Sequence, residues 1–295
     1  MTVQMHSKYV GIRTLPYKKI ITDRHTMGYA AAVGDANPVY FDDEREDGII
    51  APPMLAVSLT WPLSSEIAKR WGTLDGFPVH AFRQQVHYTE WIEWRNPIRP
   101  GDEISISGEI LAIAPHRGGT YFVVKYVATN QAGQELFTEV MGGLLRGVEC
   151  PDAGAGTENL PKVPDLPLSA DPLWSVTLPV DPLAAHVYDA CAEIHFPIHT
   201  SKRFAHEVGL PNIILHGTAT LSFAVRELIN READGDPTRL ATLSCRFTRM
   251  IDPGTDMTIR LTGQRESDDA IEYAFDVLNH TGKRAISAGY ARLTK

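Results

Sequence analysis

The sequence predicts an α+β protein built twice over, each unit a buried helix followed by a run of antiparallel strands. Three observations carry this reading. One loop phrase is written twice: Gly34-Asp35-Ala36-Asn37-Pro38-Val39-Tyr40 near the start, and Glu193-Ile194-His195-Phe196-Pro197-Ile198-His199 past the midpoint. Tyr29 with Tyr188, Asp35 with Ile194, Pro38 with Pro197 and Tyr40 with His199 all stand at the constant separation of 159 residues. Each copy is followed by an apolar helical stretch and then by β-branched, alternating runs. Between the copies lies a segment rich in Pro, Gly, Asp and Ala.

The elements follow in the same order in both halves. A short helical segment comes first, Thr22 to Val33 and Pro182 to Ala192. The motif loop comes next, and after it a longer helix, about Pro53 to Trp71 in the first half and Thr218 to Arg231 in the second. In the second helix Leu221, Ala224, Val225, Leu228 and Ile229 recur at helical spacing, and small residues among them let a sheet close tightly around it. Strands are expected over Gly119–Thr129 and Leu136–Arg146, matched by Met257–Thr262, Ile271–Leu278 and Ala285–Leu293. Pro100-Gly101 and Pro253-Gly254 mark corresponding turns. The domains are therefore read as 1–147 and 169–295, joined by a linker over 148–168 that cannot fold alone and should run over the outside. A lone half would expose a long sheet edge, so the halves should pair edge to edge.

Composition limits the function. The 295 residues are 43% hydrophobic and 22% charged, which suits a soluble globular chain of two domains. The net charge of −8 argues against nucleic acid as a partner. No apolar run reaches the roughly 20 residues that a membrane helix needs, and Met1 to Lys19 shows no secretory h-region. Cys150, Cys191 and Cys245 are odd in number and widely spaced, as expected of reduced thiols in a cytoplasmic protein. Zinc spacing, a Gly-rich nucleotide loop and a Ser-His-Asp order are all missing from the pattern, so no metal and no cofactor is expected.

The duplicated phrase resembles that of the MaoC-like hydratases and dehydratases, in which Gly-Asp-x-Asn-Pro-x-His is followed at a fixed interval by a His-Gly that opens the central helix. Here His199 and Gly217 are 18 residues apart, with His216-Gly217-Thr218 at the helix start. The first half, through Tyr29-Ala30, Gly48 to Pro53 and Arg95 to Asp102, resembles the FAS1-like dehydratase half of double-hotdog members. The resemblance implies a tandem hotdog, each half an antiparallel sheet wrapped around a central helix. It also implies a thioester substrate on CoA or a carrier protein, with reversible (R)-specific water addition across its α,β double bond.

The chemistry needs a base on the water, an acid for the α-carbon and donors for the enolate oxygen. His199 can be the base, because an imidazole takes and returns a proton near neutrality. The Gly217 amide can hold the oxyanion, since a helix N-terminus presents free N–H groups. His195, His216 and Thr218 are expected around the substrate, with His216 capping or orienting the helix.

The family carboxylate is replaced by Ile194 and the family Asn by Phe196. In the first half Asp35 and Asn37 remain while the His position holds Tyr40. Three replacements stay open: Glu193 swinging in from the neighbouring position, His195 as a second polar partner, or His199 acting alone. A composite of Asp35 and His199 is disfavoured, because equivalent positions of a hotdog pair belong to separate sites. Lys202 and Arg203 are candidates for CoA phosphates, and Trp91 and Trp94 for an acyl tunnel, against the plainer readings of solvated charge and packing. The rivals to a hydratase are a hotdog thioesterase and a non-catalytic acyl-thioester binder. A homodimer or a partner subunit of another hydratase are the assemblies considered.

Overall fold

The computed structural model describes residues 3–71 and 76–295. Met1 and Thr2, at the head of the segment read above as lacking a leader, lie outside the described residues. The first half contributes β1 (Tyr17–Ile20), α1 (Asp23–Ala32), α2 (Leu55–Ser65), α3 (Ile67–Arg70), β2 (Gln85–Trp94), β3 (Glu103–His116), β4 (Gly119–Thr129) and β5 (Glu135–Arg146). The second contributes β6 (Trp174–Pro179), α4 (Ala184–Ala192), α5 (Lys202–Glu207), α6 (Gly217–Glu232), β7 (Leu240–Phe247), β8 (Asp256–Glu266), β9 (Ala270–Asn279) and β10 (Arg284–Thr294).

All ten strands form one antiparallel sheet in the order β1-β3-β4-β5-β2-β7-β10-β9-β8-β6. The halves join where β2 pairs with β7, Glu90 opposite Cys245 and Ile92 opposite Leu243. Edge-to-edge pairing thus removes the edge that each half would otherwise expose. The chain has the double-hotdog architecture.

Each central helix is buried because its residues are apolar or small over most of its surface. In α6, Ala219, Leu221, Ala224, Val225, Leu228 and Ile229 are all at most 3% exposed, which is the burial expected of a helix inside a curved sheet. The single helix expected over Pro53–Trp71 is two helices. Pro62 removes one ladder donor, and at Glu66 ψ moves to 44°, which ends the run. Thr22 caps α1 by accepting from the His25 N–H, with the His25 ring returning to the Thr22 N–H.

The two short motif helices meet on the pseudo-twofold axis. Tyr29 on α1 and Tyr188 on α4, equivalent in the duplication, join hydroxyl to hydroxyl at 2.8 Å, and Ser222 of α6 lies 2.9 Å from the Tyr29 oxygen. The linker crosses the face of the sheet opposite the helices, where Leu160 packs against Trp91, Tyr121 and Val140. It runs outside, as expected, yet it is laced to the sheet: Ala155 bonds Ile113 in both directions, and the Ser169 N–H donates to Thr262. Among the described residues no helix is long and apolar enough to cross a membrane.

Candidate active site

The site lies at the N-terminal end of α6, where the second motif loop turns back against the helix start. Pro197 opens a single 3₁₀ turn that ends at His199, and Ser201 then caps α5 by accepting from the Phe204 N–H. This sends the His199 side chain inward, 9% exposed, with Nδ1 2.8 Å from the Ile214 carbonyl. A carbonyl only accepts, so Nδ1 carries the proton and Nε2 keeps its lone pair. Burial pushes the His199 pKa down to about 4, so the ring is neutral at neutral pH.

His216 immediately precedes the helix and is 1% exposed. Its side chain makes no capping bond. Instead it stacks on His199, ring centroids 3.6 Å apart at 22°, and its Nε2 donates to the Ile194 carbonyl at 3.1 Å. His216 Nδ1 is buried without a partner. Burial, then the neighbouring His199, hold its pKa down at about 2. Gly217 is the first helical residue, so its N–H has no intrahelical acceptor and sits at the positive end of the helix. A side chain at this position would press on Phe247, whose ring is 3.1 Å from where the Cβ would stand. Thr218 is buried, and its carbonyl accepts from the Ser222 hydroxyl at 2.7 Å.

The structure brings His199, His216, Gly217 and Thr218 together, and it corrects the expectation for Glu193. That residue ends α4 in the left-handed conformation, φ 55°, and its carboxylate turns to the first half. There it pairs with Lys19 and lies 3.4 Å from His25. The reason is backbone geometry, since a left-handed stop reverses the direction in which the side chain leaves the chain. Glu193 therefore does not stand in for the aligned carboxylate. His195 is also turned outward, its side chain 65% exposed, with Nδ1 2.7 Å from Asp189.

Asp189 is the residue that sequence reasoning missed. It sits on α4, one turn before the stop, with one carboxylate oxygen on His195 and the other 3.7 Å from His216 Nε2. That second oxygen is buried without a hydrogen bond. Its negative charge acts on His199 in the direction that favours protonation. The signal available in the sequence was its place on a helix whose Ala185, Tyr188 and Ala192 face inward. Register on that helix puts Asp189 beside the buried stripe.

Ile194 is buried, and Phe196 faces Trp61 of α2 at 6.3 Å and His199 at 6.4 Å. The family's polar pair is thus exchanged for an apolar wall, half of it supplied by the other domain. Asp35 lies elsewhere. It is held by the Asn37 N–H at 3.2 Å and faces Asn230 and Arg226, toward the C-terminal end of α6. At 1.5 Å per residue Asn230 is roughly 20 Å along α6 from Gly217, so Asp35 and His199 lie toward opposite ends of that helix. Tyr40, at the His position of the first copy, is 1% exposed and part of the core.

Lys202 and Arg203 are exposed on α5. Trp94 donates to the Pro53 carbonyl, while Trp91 lies on the outer face under the linker. A cavity of about 410 Å³ on that outer face, lined by Trp91, Tyr121, Leu160 and Tyr290, is separated from His199 by the sheet. Among the described residues no three His, Cys, Asp or Glu side chains are grouped to hold a metal ion.

Comparison with known proteins agrees with the fold. Residues 8–139 match the family model of the FAS1-like dehydratase domain region, and residues 168–281 match that of the MaoC-like domain. An enoyl-CoA hydratase of Mycobacterium tuberculosis, ChsH3, is 25% identical over 176 residues, which is 60% of each chain. The match therefore spans less than two thirds of that relative's length. The 3-hydroxyacyl-thioester dehydratase Y of the same organism is 24% identical over 249 residues, 83% of each chain. The crystal structure of a MaoC-like dehydratase from Phytophthora capsici superposes with a TM-score of 0.82 at 20% identity, over 98% of each chain.

Proposed function

The chain belongs to the MaoC-like dehydratases, with a FAS1-like dehydratase region as its first half, and from that premise we propose that it reversibly hydrates a 2-enoyl-CoA to a 3-hydroxyacyl-CoA. The observation that carries the reading is the buried His199, whose Nδ1 is committed to Ile214 and whose Nε2 lone pair is free beside the Gly217 helix start. The thioester carbonyl would sit on the Gly217 N–H, where a fixed donor at the positive end of a helix stabilises the enolate oxygen. His199 Nε2 takes one proton from water as the oxygen adds to C3, and the proton is delivered to C2. The reverse sequence eliminates water.

Asp189 takes over the electrostatic part of the missing carboxylate. It does so as a positioning residue, through His216, which stacks on His199. A carboxylate at one remove supports the base less than one bonded to the water, so slower turnover than in a complete Asp-His pair is expected. The enoyl-CoA hydratase and 3-hydroxyacyl-thioester dehydratase activities of the relatives support this reaction class.

The test is loss of enoyl-thioester absorbance with a panel of trans-2-enoyl-CoAs. His199→Ala should abolish turnover, and Asp189→Asn should lower kcat by about 10-fold to 100-fold, at the low end of what a general acid/base partner contributes. Glu193→Gln should leave the rate near wild type. Full activity in His199→Ala would sink the proposal, and release of free thiol without hydration would identify a thioesterase.

A further inference from the structure

Directly beyond Gly217 the interior turns polar, and none of the groups there has a role in the hydration step. Phe247 packs over Gly217 on one side and on the His87 ring on the other, centroids 4.5 Å apart. His87 Nε2 is 3.1 Å from a carboxylate oxygen of Glu90. Glu90 is 0% exposed and Glu139, on the adjacent strand, is 2% exposed. Thr60 of α2, whose hydroxyl donates to the Val57 carbonyl, faces Glu139 from the helix side.

Both oxygens of Glu90, one of Glu139 and Nε2 of His87 are buried without a hydrogen-bond partner. The approach of His87 to Glu90 is close, but its direction does not make a bond. Four unsatisfied polar atoms in one buried group are costly, because each has given up its hydrogen bonds to water without replacement. Such a deficit is expected where a ligand completes the set. Burial pushes the Glu90 and Glu139 carboxyls up and the His87 ring down to about 4, so the enclosure works against charge on each of the three.

We propose that Glu90, Glu139 and His87 form the recognition floor of the acyl pocket, reading a neutral oxygen, hydroxyl or carbonyl, on the acyl chain beyond the double bond. The inference rests on the thioester lying at Gly217, as proposed above. A chain leaving that carbonyl past Phe247 meets the first half's β2 and β5, and the polar atoms there match an oxygenated tail better than a plain alkyl one. The idle half thereby becomes the specificity half. An unadorned alkyl chain would leave the four atoms unpaired, which is the penalty that lets a polar pocket reject an apolar analogue.

The test separates binding from turnover. Affinities of octanoyl-CoA and of its 5-, 6-, 7- and 8-hydroxy derivatives, all unreactive, are measured by calorimetry on the full chain, and the matching trans-2-enoyl-CoAs are assayed alongside. At least one hydroxylated ligand should bind about 10-fold tighter than octanoyl-CoA. Glu90→Leu should collapse that ratio toward one, and the near-isosteric Glu90→Gln should retain most of it. If octanoyl-CoA binds as well as every derivative, or if Glu90→Leu shifts all ligands alike, the floor is structural and the inference is overturned. A retained binding preference with no turnover of any enoyl-CoA would instead count against the hydratase reading alone.

Discussion

At the scale of single residues, the site is governed by two imidazoles that each spend their one proton on a backbone carbonyl. His199 donates to Ile214 and His216 to Ile194, so the stacked pair presents lone pairs and no positive charge. The consequence for pH is definite. The folded pKa of His199 lies at about 4, below its ordinary 6.5. The neutral ring, the form proposed to act as base, therefore persists as pH falls through 6.5 and is lost only near 4. The acid limb of kcat/KM should have its midpoint close to pH 4, and a midpoint at 6–7 would show that His199 is more solvated than this geometry allows. Stability follows the same sign: burying neutral histidines contributes fully above 6.5 and is lost as pH falls toward the folded value. Asp189→Asn removes the one nearby charge that raises His199, so it should move this limb further toward acid.

At the scale of elements, the legible and the illegible divide by range. Periodicity placed α1, α4 and α6 to within one or two residues, and β4 to the residue, because these segments announce their buried face within their own sequence. Of the strands that were not expected, β1 and β6 are short and half-exposed at the sheet edges, whereas β2, β3 and β7 are longer and were not delimited either. The motif spacing singled out His199 and Gly217, which the fold brings to one helix start. It could not find Asp189, whose link to His216 is made across space from another helix. Nor could it foresee the left-handed stop that turns Glu193 to Lys19. The linker shows the same limit. Its composition forecast an outside path but not its anchorage. A Cβ at Gly156, φ 82°, would stand 2.0 Å from the Leu111 carbonyl, and one at Gly263 would stand 2.2 Å from that of Pro167. The linker is thus pressed onto β3 of the first half and β8 of the second. Gly156→Ala combines a left-handed backbone with a backbone clash, and should destabilise the chain by about 2 kcal/mol or more. A thermal melt reads this as a fall of several degrees, whereas an unchanged Tm would show the linker to be loosely seated.

At the scale of the whole molecule, duplication has produced an asymmetric pair in which neither half is complete. The second half owns His199, His216 and Gly217, but the wall opposite Phe196 is Trp61 of the first half. Ser58 of α2 also donates to Ala192, the last residue of α4 before the second motif loop. In return, Arg226 and Gly235 of the second half hold the idle loop through Val33 and Asn37. Beneath these contacts the β2–β7 junction covers one sheet edge of each half, and the Tyr29–Tyr188 pair sits between the motif helices. A free second half would bare β7 along its length and lose the support of its loop. Residues 168–295 expressed alone should therefore be aggregated or inactive toward enoyl-CoA. Co-expression with residues 3–147 should restore a 1:1 complex on size exclusion and part of the turnover, reduced by the entropy of joining two chains. Full activity in the isolated second half would show that the first contributes nothing to the site, and would remove the basis for assigning it the acyl pocket.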